Sequence, residues 1–208
     1  MKNYIFIIIF LIVSIELTAQ GNSKYEFQKD RFDLGESFLQ KGQNEKAIQL
    51  FFFAHHIIPH NELGQIAYKK YDSLKSIVRE NLLKNISGNW KKISTDSNWV
   101  MPDENGLIGE MLTINSNEIL FFELYKKSKE WCFIKTEPVI FCKKSEIATY
   151  IDYDSNFTEF VYKNKEVWRY YIDENSGILN AYFIGFETEN GVSEMICGNS
   201  HFQYFKLQ

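Results

Sequence analysis

With 208 residues, 45% of them hydrophobic and 24% charged, the chain has the composition of an ordinary folded protein, long enough for one domain or two small ones. The formal net charge of −4 is mild and no basic patch or stripe occurs, which argues against nucleic acid as a partner. Aromatic residues reach 16%, a share that favours β structure and a bulky core.

Lys2 precedes an unbroken apolar run from Tyr4 to Val13, and Leu17-Thr18-Ala19 offers a cleavage end before Gln20. This is the pattern of a secretory signal peptide over residues 1–20. The run is shorter than the roughly 20 residues a spanning helix needs, so export to the periplasm or beyond is expected, with no membrane insertion after cleavage. No cysteine follows the run, so a lipoprotein anchor is not expected.

Residues 21–86 read as a helical module. Phe27, Phe32, Leu34, Phe38 and Leu39 fit one helix, and Lys41-Gly42-Gln43-Asn44 supplies a turn where it should end. A second helix runs from Glu45 to Ile58 and stops at Pro59, which cannot continue it. A third amphipathic stretch extends from about Glu62 to Asn85. His55, His56 and His60 form the only histidine cluster, but Pro59 interrupts the helix between the last two, so no metal site is expected.

Within the first two helices, Leu34-Gly35-x-x-Phe38, Ala47-x-x-x-Phe51, Ala54 and Pro59 resemble one tetratricopeptide repeat, spanning about residues 28–61. Arg31 stands where that repeat usually has a tryptophan. The resemblance implies that small residues let the helices approach and that the third stretch is a capping helix. It also implies a binding face on the first helix, with Lys29, Phe32, Glu36, Leu39 and Gln40 turned toward a protein partner. The bland alternative is that Phe32 and Leu39 pack on the second domain. One repeat cannot bury its own faces, so it must lean on the following domain, another copy or a partner.

From Ser87-Gly88-Asn89-Trp90 onward, apolar residues alternate in short runs. Strands are expected at Trp90–Ser94, Glu110–Ile114, Glu118–Tyr125, Trp131–Lys135, Val139–Lys143 and Glu146–Ile151. Others are expected at Phe157–Tyr162, Val167–Ile172, Leu179–Phe186, Val192–Ile196 and His201–Leu207, separated by turn residues. Short consecutive strands argue for an antiparallel meander, and closure into a barrel would remove its exposed edges. The expected fold class is thus α+β: a helical hairpin with a capping helix, then a β-barrel over residues 87–208.

Gly88-Asn89-Trp90 at the first strand, followed by Lys91-Lys92-Ile93, resembles the opening of lipocalin-like domains, and Gln203-Tyr204-Phe205-Lys206-Leu207 resembles their closing strand. The resemblance implies that Gly88 and Trp90 form a structural plug at one barrel end. In many lipocalins a late-strand arginine crosses that Trp. Here the only arginine of this half is Arg169, outside the last strand, which leaves Lys206 as a weaker substitute. Eight-strand barrels are either filled or hold one small ligand. Phe121, Tyr125, Phe133, Tyr150, Phe160, Tyr162, Tyr170, Tyr182 and Phe186 serve either reading, as core or as pocket lining.

All three cysteines, Cys132, Cys142 and Cys197, lie in this half, and export would allow a disulfide. A hairpin turning at Thr136-Glu137-Pro138 would set Cys132 opposite Cys142, although free buried thiols fit equally. No nucleophile elbow, phosphate loop, dinucleotide fingerprint or zinc-protease motif occurs. Asp152-x-Asp154-x-Asn156 begins like a calcium loop, then places Phe157 and Lys163 where glycine and glutamate are required. A non-enzymatic protein without cofactor or metal is expected. Its partner is either another protein or, alternatively, a small apolar ligand inside the barrel.

Overall fold

The computed structural model describes residues 23–93, 106–142, 158–189, 191–194 and 200–207. The proposed signal segment, the strand expected at Glu146–Ile151, and Cys197 lie outside these residues. Among the described residues three helices precede a nine-stranded antiparallel sheet, an α+β architecture. The chain divides into two compact units at Val78/Arg79. No helix among the described residues is long and apolar enough to cross a membrane.

The first unit holds α1 (residues 23–40), α2 (Asn44–Ile57) and the larger part of α3 (Glu62–Ile86). Helix α1 ends where Gly42 N–H donates to Leu39 O at 2.9 Å and Gln43 N–H to Phe38 O at 2.9 Å, the paired bonds of a Schellman end. Ala47, Ile48, Phe51, Ala54, Ala67, Tyr71, Leu74 and Val78 are buried. At position 35 the small residue lets the helices approach: a Cβ there would stand 2.9 Å from the buried Phe51 ring, so the ring would have to shift. Overpacking of this kind costs about 1–3 kcal/mol, of which alanine's helix propensity returns about 1 kcal/mol. Gly35→Ala is therefore expected to lose on the order of 1 kcal/mol in a thermal melt followed by circular dichroism. A raised melting temperature would mean that Phe51 yields freely.

Gln28 is fully buried and its amide ties the three helices together. Its Nε2 donates to Ala54 O at 2.8 Å and Ile58 O at 3.1 Å, while its Oε1 accepts from Asn61 Nδ2 at 2.6 Å. Asn61 in turn caps α3, its Oδ1 accepting from Gly64 N at 2.7 Å. The carbonyls of Ala54 and Ile58 at the end of α2 and the Gly64 N–H at the start of α3 are thereby satisfied inside the unit.

The second unit starts with the last turns of α3 and contains β1 (Gly88–Lys92), β2 (Leu107–Ile114), β3 (Glu118–Tyr125), β4 (Trp131–Pro138) and β5 (Phe160–Val161). It continues with β6 (Glu166–Ile172), β7 (Leu179–Thr188), β8 (Gly191–Glu194) and β9 (His201–Lys206). The spatial order is β4-β3-β2-β1-β9-β7-β6-β5, with β8 paired to β7. First and last strands of the unit are thus neighbours: Trp90 lies opposite Lys206 on one side and Leu112 on the other. The core covers one face and comprises Trp90, Leu112, Ile114, Ile119, Phe160, Tyr162, Tyr170, Leu179, Ala181 and Tyr204, with Ile86 of α3 packed among them.

The sheet is not closed; β4 and β5 are the ends of its order. Beyond β4, Phe141 forms an isolated antiparallel bridge with Phe160, flanked by Val161 N–H to Ile140 O and Cys142 N–H to Glu159 O, both 2.8 Å. Val139–Lys143 is therefore not a described strand but a single bridge, with Lys143 outside the described residues. Nor do Thr136, Glu137 and Pro138 turn a hairpin. They belong to β4, whose register sets Pro138 opposite Glu118 and Cys132 opposite Glu123. No disulfide joins Cys132 to Cys142, and Cys142 is buried. The eight-residue β3 claims β4 along its whole length, and a proline is tolerated at the end of an edge strand.

Candidate functional site

The five α1 residues expected to meet a partner fall into two groups. Lys29 and Gln40 are exposed, whereas Phe32, Glu36 and Leu39 are half-buried. The Phe32 ring packs 5.4 Å from that of Phe51, and Glu36 forms an ion pair with Lys70 of α3 at 2.8 Å. Lys29 is bound to Asp33 one turn on, at 2.6 Å. Of the stripe, Phe32 and Glu36 are thus already engaged with neighbouring helices, and Lys29, Leu39 and Gln40 carry the accessible part.

His55 and His56 are absorbed by local packing. His55 Nδ1 is 3.0 Å from Gly64 O with its ring against Tyr68, and His56 Nδ1 is 2.9 Å from Phe52 O. Among the described residues no three of His, Cys, Asp and Glu converge as metal ligands.

At the start of the sheet, Trp90 is 1% exposed and its indole N–H donates to Ile86 O at 2.7 Å, fastening β1 to the last turn of α3. Gly88 has φ +129°, and a Cβ on it would meet the Lys206 side chain at 3.1 Å. Lys206 uses that space: its ammonium lies 5.2 Å from the Trp90 ring centroid. The last strand therefore places a cation over the Trp90 ring.

Further along the inner face, half-buried Trp168 lies between Tyr162 and Phe202, its ring centroid 5.9 Å from each. The small Ala181, opposite both Tyr170 and Phe202, leaves room for this reach across strands. A lysine stands at either end of the row, Lys92 at 4.2 Å from the Phe202 centroid and Lys135 at 5.4 Å from that of Tyr162. Both are neutralised, Lys92 by Glu110 at 2.6 Å and Lys135 by Glu137 at 3.1 Å. The Tyr162 and Tyr170 hydroxyls bond to each other. Burial pushes the phenols of Tyr162, Tyr170 and Tyr204 well above the ordinary tyrosine range. All three stay protonated at neutral pH, and those of Tyr162 and Tyr170 serve as hydrogen-bonding groups.

Glu123 accepts from the Tyr125 hydroxyl, while Glu159, 1% exposed, takes both Nε and Nη2 of Arg169 on Oε1 at 2.9 Å. Glu159 Oε2 is buried with no hydrogen-bond partner among the described residues. Burial raises the Glu159 pKa, and the Arg169 guanidinium partly opposes this. Sequence reading missed the pair. Its signal was the lone arginine inside the apolar run Val167-Trp168-Arg169-Tyr170-Tyr171, since a cation in such a run needs an acid partner.

No protein-family model matches the chain, and no curated protein or solved structure matches it.

Proposed function

We propose that the chain is an exported, non-enzymatic binding protein whose helical unit docks another protein through Lys29, Leu39 and Gln40, with Phe32 and Glu36 behind them. The observation that carries this reading over small-ligand transport is the occupied inner face of the sheet. Trp90, Leu112, Ile114, Ile119, Phe160, Tyr162, Tyr170, Leu179, Ala181 and Tyr204 are each at most 6% exposed and form one continuous core. A ligand there would have to displace packed side chains. The tetratricopeptide-like reading is supported by the close approach of α1 and α2 at Gly35. The lipocalin-like barrel reading is supported by the Trp90–Lys206 contact and by the Phe141–Phe160 bridge between the ends of the sheet. Export rests on Lys2 and the apolar run Tyr4–Val13.

A second reading, carriage of a small ligand, is favoured by the row of buried Tyr162 and half-buried Trp168 and Phe202, with a lysine at either end. Native mass spectrometry of the protein from its own host separates the two. The expected result is a complex with another chain that is lost in a folded Lys29→Glu/Leu39→Asp variant. Capture that survives in this folded variant would end the assignment to α1. A small mass released only on denaturation would establish the carrier reading instead.

A further inference from the structure

Helix α1 has a second face, distinct from the stripe of Lys29 and Glu36. Phe27, Asp30, Arg31 and Leu34 recur at the spacing of a helical seam, three or four residues apart. Phe27 is 45% and Leu34 40% exposed, although both are large and apolar. The buried side of the helix is marked by Gln28 and Gly35, each one residue further on and so about 100° round the axis.

The charges on this face form no ion pair among the described residues. Asp30 makes no hydrogen bond or ion pair among the described residues. Arg31 lies over the Phe27 ring, 5.1 Å from its centroid, and has no carboxylate partner there. Its Nε is buried without an acceptor. Two opposite charges, adjacent in sequence and neither in an ion pair among the described residues, thus sit between two partly exposed apolar side chains, of which Phe27 meets Phe53 of α2 edge-on at 5.8 Å.

We infer that this face binds a second copy of the chain, with the two α1 helices antiparallel about a two-fold axis between Asp30 and Arg31. The pattern is its own complement, which is what an isologous contact requires. In that register Phe27 meets the partner's Leu34, Leu34 meets the partner's Phe27, and Asp30 faces the partner's Arg31 in both directions. Apolar contact supplies the affinity, while the crossed charges fix register and exclude the parallel arrangement. A single repeat-like hairpin, covered by α3 where Lys70 meets Glu36, gains from a copy on its other flank the contact that longer arrays obtain internally. With one helix of about 27 Å from each subunit, the interface lies at the small end of the range, so the dimer is weak and concentration-dependent. The inference does not depend on the partner-docking reading, which uses the other flank of α1.

Sedimentation velocity on the purified full-length mature protein over a concentration series tests it. The expected result is a monomer–dimer equilibrium that Asp30→Arg and Arg31→Asp each weaken by about tenfold or more, through facing like charges. An equimolar mixture of the two variants should then associate as the wild type does, because each introduced charge meets its opposite. Far-UV circular dichroism and melting confirm that both variants are folded. A wild-type protein that stays monomeric throughout, a dimer that both substitutions leave unchanged, or a mixture that fails to reassociate overturns the inference.

Discussion

Trp90→Ala is expected to lose about 3–5 kcal/mol of folding free energy, the range for truncating a large buried aromatic. The side chain is 1% exposed and lies in the core with Ile86, Leu112, Leu179 and Tyr204. Its removal leaves a cavity where first strand, last strand and helix end meet. It also strands the Ile86 carbonyl, which accepts the indole N–H at 2.7 Å, and removes the ring beneath the Lys206 ammonium. Against a typical total stability of about 5–15 kcal/mol, this is a large part of what holds the unit folded. Urea unfolding followed by far-UV circular dichroism measures it. Trp90→Phe separates the contributions, keeping most of the volume while losing the hydrogen bond, and should cost roughly 1–3 kcal/mol. A loss below about 1 kcal/mol for the alanine variant would show that the site collapses around the gap and that Trp90 is not the fastening point.

This junction was legible in the sequence because its causes are local. Helical periodicity stops at Ser87, a glycine precedes the Trp, and alternation begins. The three helices were legible for the same reason, with Gly42 and Pro59 marking their ends. What the sequence left hidden was pairing. Thr136-Glu137-Pro138 has turn-forming composition, yet a proline also suits the end of an edge strand, and only the competing claim of β3 decides between them.

The aromatic residues show the same limit. Phe160, Tyr162 and Tyr170 are in the core, but Phe133 is 56% and Phe186 39% exposed. Strand β3 carries apolar residues on both faces, since Ile119 and Phe121 face the core while Phe122 packs edge-on against Phe133 at 5.9 Å. Without alternation there, parity cannot be read from composition. For α1 the periodicity gave a face, but not which residues of it are consumed inside the unit. The engagement of Phe32 with Phe51 and of Glu36 with Lys70 depends on α2 and α3.

Arg169→Met carries the second large effect, with a pH dependence that distinguishes it from simple loss of packing. Arg169 compensates the buried Glu159 carboxylate through two contacts of 2.9 Å to Oε1, and removing one partner of such a pair costs about 3–5 kcal/mol near neutral pH. The sign follows from the acid. Burial raises the Glu159 pKa in the folded state, so its ionisation is less favourable there than in the unfolded chain. Stability from this group is greatest below the ordinary carboxylate range and falls as pH rises through the folded-state value. Without the guanidinium, the main influence opposing burial is gone and the folded-state value moves further up. The deficit of Arg169→Met relative to wild type should therefore be largest near neutrality and shrink as the solution is acidified and Glu159 takes up its proton. Urea midpoints for both proteins at about pH 7.5 and about pH 5 give the comparison. Glu159→Leu combined with Arg169→Met should recover much of the loss at the higher pH, because an apolar pair leaves no buried charge uncompensated. A deficit independent of pH, or a double variant no better than the single one, would assign Arg169 to packing through its aliphatic stem and leave Glu159 neutral in the folded protein.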